Sequence, residues 1–129
     1  METRLPSRAV MQDICEKIIR NEGLIWSEWN DKFKSYDQKY YSNTPILEVS
    51  KLIYKPHWFS RKKVKYEVYL HGVKVRVSDP ELIYIKARDA KFAYDVENYK
   101  SQVLRAINRI NNLLENNDHN NSKTTGIHD

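Results

Sequence analysis

The sequence predicts an α+β fold, mostly helical, with N-terminal helices, a basic antiparallel β-hairpin and a long C-terminal helix. Three observations carry this. Over 63–77 apolar and polar residues alternate on either side of His71-Gly72, the period of two paired strands. Over 80–115 no proline or glycine follows the first residue, and Phe92, Val96, Tyr99, Val103, Ala106, Ile110 and Leu113 recur at spacings of 4, 3, 4, 3, 4 and 3. That is a heptad register. Ahead of the hairpin, two segments show the i, i+3, i+4 recurrence of amphipathic helices.

At 129 residues and 15.4 kDa the chain is sized for one domain, expected over 1–116, with 117–129 as a disordered polar tail. Hydrophobic residues make up 40%, with three Trp, nine Tyr and three Phe, enough to close a core. The single Cys15 excludes an internal disulfide, and its spacing to Met11, Ile14 and Ile18 places it in a helix stripe. No apolar run has signal-peptide length and none reaches the roughly 18 residues of a membrane span. The expectation is a soluble, cytoplasmic protein, nuclear or nucleoid-bound if it travels with DNA, with no membrane partner.

The first helix is expected over 7–21, capped by Ser7, with Val10, Met11, Ile14, Cys15, Ile18 and Ile19 on one face. A second helix is expected over about 27–41, because Trp26, Trp29, Phe33, Tyr36 and Tyr40 recur at 3, 4, 3 and 4. That aromatic face either packs into the core or leaves Trp26 and Trp29 exposed to stack on bases, and the exposure of the two indoles decides between these. Ser42-Asn43-Thr44-Pro45 marks a turn into a short helix over 45–54 with Ile46, Val49, Leu52 and Ile53 inward. The alternative is a strand over 51–59, a third sheet member that Pro56 confines to an edge.

In the hairpin, a two-residue turn at His71-Gly72 pairs Leu70 with Val73, Val68 with Val75 and Tyr66 with Val77 on one face. Tyr69 with Lys74 and Glu67 with Arg76 then share the other. Ser78-Asp79-Pro80-Glu81 starts the long helix with a cap, a proline and an acid. At 1.5 Å per residue a helix over 80–115 reaches about 54 Å, more than the width of a small domain. Its first half is expected to close the core against the hairpin valines. Its second half, through Val96, Tyr99, Val103, Ala106, Ile107, Ile110, Leu113 and Leu114, is expected to meet a second copy or another partner, with Asp89 as a place for a bend.

Catalytic and metal chemistry find little support. His57, His71, His119 and His128 show neither i, i+4 pairing nor companion cysteines, so no metal site and no cofactor is expected. There is no nucleophile elbow, and with only Gly23, Gly72 and Gly126 no phosphate-cradling loop. A non-enzymatic protein is expected.

Charge is the stronger signal. The net charge is +5, yet 51–76 alone carries +7, from eight basic residues against Glu67, leaving −2 for the rest. A concentrated basic segment favours a polyanion, with nucleic acid the commonest inside a cell. The expected contacts are Lys55, Arg61, Lys62, Lys63, Lys65, Lys74 and Arg76 to phosphates, with Tyr69 and the Trp26–Trp29 pair able to stack. The expected function is therefore a small, dimeric, backbone-contacting DNA- or RNA-binding protein. The alternative is a viral or phage-type interaction or assembly protein docking through its aromatic stripe and C-terminal helix, its basic segment meeting an acidic protein.

Three helices, a basic hairpin and a long terminal helix resemble the element order of winged-helix regulators, although 44–59 holds no helix-turn-helix motif. Trp26-Ser-Glu-Trp29 resembles the duplex-end-capping Trp pair of the tombusvirus RNA-silencing suppressors, and Gly72-Val73-Lys-Val75-Arg-Val77-Ser78 resembles a sheet strand of that family. The segment between the two stretches is far shorter here than there.

Overall fold

The computed structural model describes residues 6–40 and 43–125, with side chains to 117. Ser42 of the expected turn and Ile127 and His128 of the expected tail lie outside these residues. The elements run α1 (Arg8–Ile19), β1 (Leu24–Trp29), β2 (Lys32–Asp37), β3 (Leu47–Tyr54), β4 (Lys63–Leu70), β5 (Val73–Val75) and α2 (Pro80–Thr125). The five strands form one antiparallel meander in the order β1-β2-β3-β4-β5.

The α+β class, one N-terminal helix, the hairpin and the long C-terminal helix are all present. The chain is not mostly helical, since helix covers 12 residues of α1 and 46 of α2. Both other expected helices are strands, so the winged-helix order of elements is not found. Across 24–37 the aromatic spacing is split by a turn. Asn30 and Asp31 both take positive φ, 48° and 57°, as a type I′ turn requires, and these short polar residues tolerate it. The turn reverses the chain, so Trp26 and Phe33 lie on the inner face while Trp29 and Tyr36 lie on the outer one. Residues at helical spacing are thus divided between two faces of a hairpin. The expected helix over 45–54 is β3, in which Leu47 and Val49 are buried and Leu52 and Ile53 are exposed. Pro56 lies beyond its end.

The β4–β5 register is Leu70↔Val73, Tyr69↔Lys74 and Val68↔Val75, as the alternation predicts. His71 and Gly72 hold φ of 49° and 80°, and the His71 N–H is bonded to the Ile46 carbonyl at 3.0 Å. β5 stops at Val75, so Arg76 and Val77 leave the ladder instead of pairing with Glu67 and Tyr66.

Both helix starts follow their caps. The Ser7 hydroxyl accepts from the Val10 N–H at 3.3 Å, and an Asp79 carboxylate oxygen accepts from the Leu82 N–H at 3.1 Å ahead of Pro80. The core gathers Cys15 of α1, Leu24, Trp26, Phe33, Leu47, Val49, Val68 and Leu70 of the sheet, and Ile83, Tyr84 and Ala87 of α2. Burial of a Leu or Val side chain here contributes about 1.5–3 kcal/mol. Lys86 Nζ lies 2.8 Å from Glu16 Oε1, linking α1 to α2, and Gln12 accepts from the Ser78 hydroxyl and the Asp79 N–H.

The chain divides into two compact units, Met1–Tyr94 and Asp95–Asp129. Within the first, α2 turns Ile83, Tyr84 and Ala87 to the sheet, with Ala90 and Tyr94 packed alongside. This face is offset from the heptad register, in which Phe92 is exposed. Asp89 lies within unbroken helix, and α2 takes in 117–125 of the segment expected as a tail.

Candidate nucleic-acid interface

Strand alternation puts Leu24, Trp26, Phe33, Leu47, Val49, Val68 and Leu70 on the face that meets the helices, and sends their neighbours to the other. Following the register, Trp29, Lys32, Ser50 and Glu67 form one row of this open face, and Ser27, Lys34, Glu48, Tyr69 and Lys74 the next. Leu52 with Lys65 and Tyr54 with Lys63 extend it along β3 and β4. Five lysines from three strands and two glutamates thus share a surface with aromatic residues.

The acids organise the cations. Glu48 Oε1 lies 3.4 Å from Lys32 Nζ and 3.9 Å from Lys34 Nζ. Glu67 Oε1 lies 3.4 Å from Lys65 Nζ and 3.8 Å from Lys74 Nζ, while its second oxygen accepts from the Tyr69 hydroxyl at 2.5 Å. The Tyr69 bond first, then the lysines, hold the Glu67 carboxyl below its ordinary value against the opposing effect of burial. The same bond holds the Tyr69 phenol above its own. Each carboxylate is shared by two lysines, which leaves the face with an excess of positive charge. The lysine side chains stay solvated, with exposures of 35%, 36%, 52% and 53% for Lys32, Lys34, Lys65 and Lys74.

The sequence-predicted contacts separate into groups. Lys63, Lys65, Tyr69 and Lys74 come together on the open face. Lys55, Arg61 and Lys62 lie in the exposed β3–β4 loop, and Arg76 is exposed just past β5. Among the described residues Lys55, Arg61, Lys62, Lys63 and Arg76 form no ion pair. The Trp pair does not act as a unit: Trp26 is 7% exposed in the core, whereas Trp29 is 71% exposed on the open face. Positions three apart in a strand point to opposite sides, so the duplex-capping pair that the motif resembles is not formed. Lys32 and Lys34 were concealed by the helical reading of their segment. The alternation Lys32-Phe33-Lys34-Ser35-Tyr36 behind Asn30-Asp31 is the signal that locates them.

In the second unit, Val96 is half-buried, while Tyr99, Val103, Ala106, Ile107, Ile110, Leu113 and Leu114 are exposed, as is Leu104 beside the stripe. Lys100 pairs with Glu97 of its own helix at 3.6 Å.

Comparisons of the chain with protein-family models, with curated proteins and with solved structures return no match. Among the described residues no helix is long and apolar enough to cross a membrane, and no group of three or more His, Cys, Asp or Glu side chains is placed to hold a metal ion.

Proposed function

We propose that the protein is a small, non-catalytic nucleic-acid-binding protein that lays the open face of its sheet along a phosphate backbone. The observation that supports this is the convergence of Lys32, Lys34, Lys63, Lys65 and Lys74 from three strands on one face, bordered by Arg61, Lys62 and Arg76. Strands lie about 4.8 Å apart, so cations on β2 and β4 stand about 10 Å from each other and span a broad anionic surface. Contacts of this kind read charge and spacing, and weak sequence preference follows.

The test is fluorescence anisotropy of the protein with random-sequence DNA and RNA across a salt series. Binding should weaken steeply with salt, and replacing Lys32, Lys34, Lys65 and Lys74 by Ala should lower the affinity at least tenfold and flatten the slope. A salt-independent affinity, or one indifferent to these replacements, overturns the reading.

The dimeric state belongs to the same proposal, with Val96, Tyr99, Val103, Ala106, Ile107, Ile110, Leu113 and Leu114 as the seam. The same exposed stripe favours a second reading, an assembly protein that docks its C-terminal helix on another protein. The aromatic residues Trp26, Trp29, Phe33 and Tyr36 are divided between two faces of the β1–β2 hairpin, so the helix stripe is what supports this reading. A stoichiometric protein partner retained after nuclease treatment would favour this second reading.

A further inference from the structure

The β3–β4 loop carries features that the backbone-contacting face does not use. The turn at 57–60 is clamped: Ser60 Oγ accepts from the His57 N–H at 3.0 Å and donates to the His57 carbonyl at 2.7 Å, and that carbonyl also accepts from the Ser60 N–H at 3.0 Å. The two residues inside the clamp are Trp58 and Phe59, exposed by 89% and 72%. His57 stacks parallel on Phe59 with ring centroids 5.3 Å apart, and Trp58 stands edge-on to Phe59 at 5.5 Å and 88°. Large rings are held in water at the tip of a turn, in a defined mutual arrangement. Neither ring reaches the core.

We infer that this loop is a stacking site for unpaired bases. The inference rests on the nucleic-acid reading and adds to it the form of nucleic acid that is preferred. Charge complementarity points to a polyanion, since 51–65 holds Lys51, Lys55, Arg61, Lys62, Lys63 and Lys65 and no acid. That same charge opposes a second copy of the loop as the occupant. Continuity points to a nucleic acid, because Arg61 and Lys62 lead directly into Lys63 and Lys65 of the open face, so a backbone tracked by the sheet arrives at the rings. An open groove of about 370 Å³ at the root of the loop is lined by Leu52, Ile53, Tyr54 and Lys65, pairing apolar walls with one cation. A nucleotide offers the matching combination of flat base and phosphate. In a duplex the base faces are covered by their neighbours, and only unpaired bases are free to stack on Trp58 and Phe59. The clamp fixes the backbone that carries the rings before binding, which lowers the ordering cost.

The test compares an unpaired oligonucleotide with the corresponding blunt duplex, using the full-length chain and its Trp58→Ala/Phe59→Ala variant. The affinity of the variant for the unpaired strand should fall about tenfold or more, with duplex affinity unchanged, and Trp58→Phe should restore most of the loss. Intrinsic tryptophan fluorescence should be quenched by the unpaired strand more in the wild type than in Trp58→Phe, whose remaining response comes from Trp29 on the open face. Unchanged single-strand affinity in the double variant, with salt-dependent duplex binding intact, overturns the stacking site and leaves the basic face standing. Absence of binding to either oligonucleotide overturns both. Binding to phosphatidylserine vesicles that the double substitution abolishes, without effect on oligonucleotides, overturns the inference in favour of a lipid surface.

Discussion

The Tyr69 hydroxyl donates to Glu67 at 2.5 Å from two positions along β4, and the carboxylate it steadies is the one that Lys65 and Lys74 share. Under the proposed function, Glu67 competes with phosphates for two cations of the open face. Glu67→Gln should raise nucleic-acid affinity several-fold and steepen the salt dependence by about one unit, since a further cation becomes available to displace counterions. Anisotropy titration against salt measures both. Weaker binding in Glu67→Gln would mean that the carboxylate positions the lysines rather than restraining them.

The same residue sets a pH dependence. Its folded-state value lies below the ordinary 4.5, chiefly through the Tyr69 bond and then through the lysines. The stabilisation from this site is complete above the unfolded value and is lost as pH falls through the folded one. Chemical denaturation over acidic pH should show a loss of stability on this limb that is smaller in Glu67→Gln than in the wild type.

The β1–β2 turn places two residues with side chains at positive φ, Asn30 at 48° and Asp31 at 57°. Asp31→Gly removes the steric penalty at the second position, where a type I′ turn favours glycine, and should stabilise the protein by about 0.5–1 kcal/mol. Asn30→Val puts a β-branched side chain into the left-handed region and should cost about 1–3 kcal/mol. Urea denaturation distinguishes the two. Similar losses from both would show that the turn does not hold this conformation in solution.

That turn also explains which parts of the fold were legible. The three pairs of the β4–β5 hairpin next to the turn could be read from valines alternating on both sides of a single glycine-containing turn. The expected pairs of Tyr66 with Val77 and Glu67 with Arg76 do not form, because β5 ends at Val75. The start of α2 could be read because Asp79-Pro80 marks a helix start. The β1–β2 hairpin could not, since Trp26, Trp29, Phe33 and Tyr36 fall at helical spacing by chance and Asn30-Asp31 lacks the usual glycine. A helix over that segment scatters Lys32 and Lys34, and only the strand alternation brings them onto the open face. β3 was obscured because its alternation holds only at Leu47 and Val49 and fails at its exposed end. Trp58 and Phe59 sit in a loop with no period, and only their exposure singles them out.

Tyr84 joins α2 to the sheet. Its ring meets Phe33 edge-on at 5.3 Å and Tyr66 at 5.3 Å, and burial is the main cause that raises its phenol above the ordinary value. Tyr84→Ala should cost about 3–5 kcal/mol by leaving a cavity between strands β2 and β4 and the helix. Tyr84→Phe keeps the packing and should cost less than about 1.5 kcal/mol. A loss in Tyr84→Phe equal to that in Tyr84→Ala would assign the stabilisation to the hydroxyl rather than to the ring.

Cys15 is fully buried, and burial pushes its thiol up to about 11. The thiolate is the nucleophile, so the native protein should resist iodoacetamide at mildly alkaline pH and react only when unfolded, as the thiol returns to its ordinary value. Mass spectrometry of native and urea-treated samples reads the difference. Rapid native labelling would show that α1 opens readily from the sheet.

The second half of α2 is the place to break the proposed seam without touching the core, because among the described residues every core residue lies within Met1–Tyr94. Ile107 is 46% exposed in a stripe that continues through Ile110, Leu113 and Leu114. If the stripe pairs two copies, Ile107→Glu places a charge in the seam of each. Sedimentation velocity should then show a dimer for the wild type and a monomer for the variant, with the unfolding free energy of the first unit shifted by no more than about 0.5 kcal/mol. Nucleic-acid affinity should fall as well, because two linked basic faces bind with higher avidity than one. A wild type that is monomeric at all concentrations removes the second copy as the occupant of the stripe, and leaves another protein to cover it.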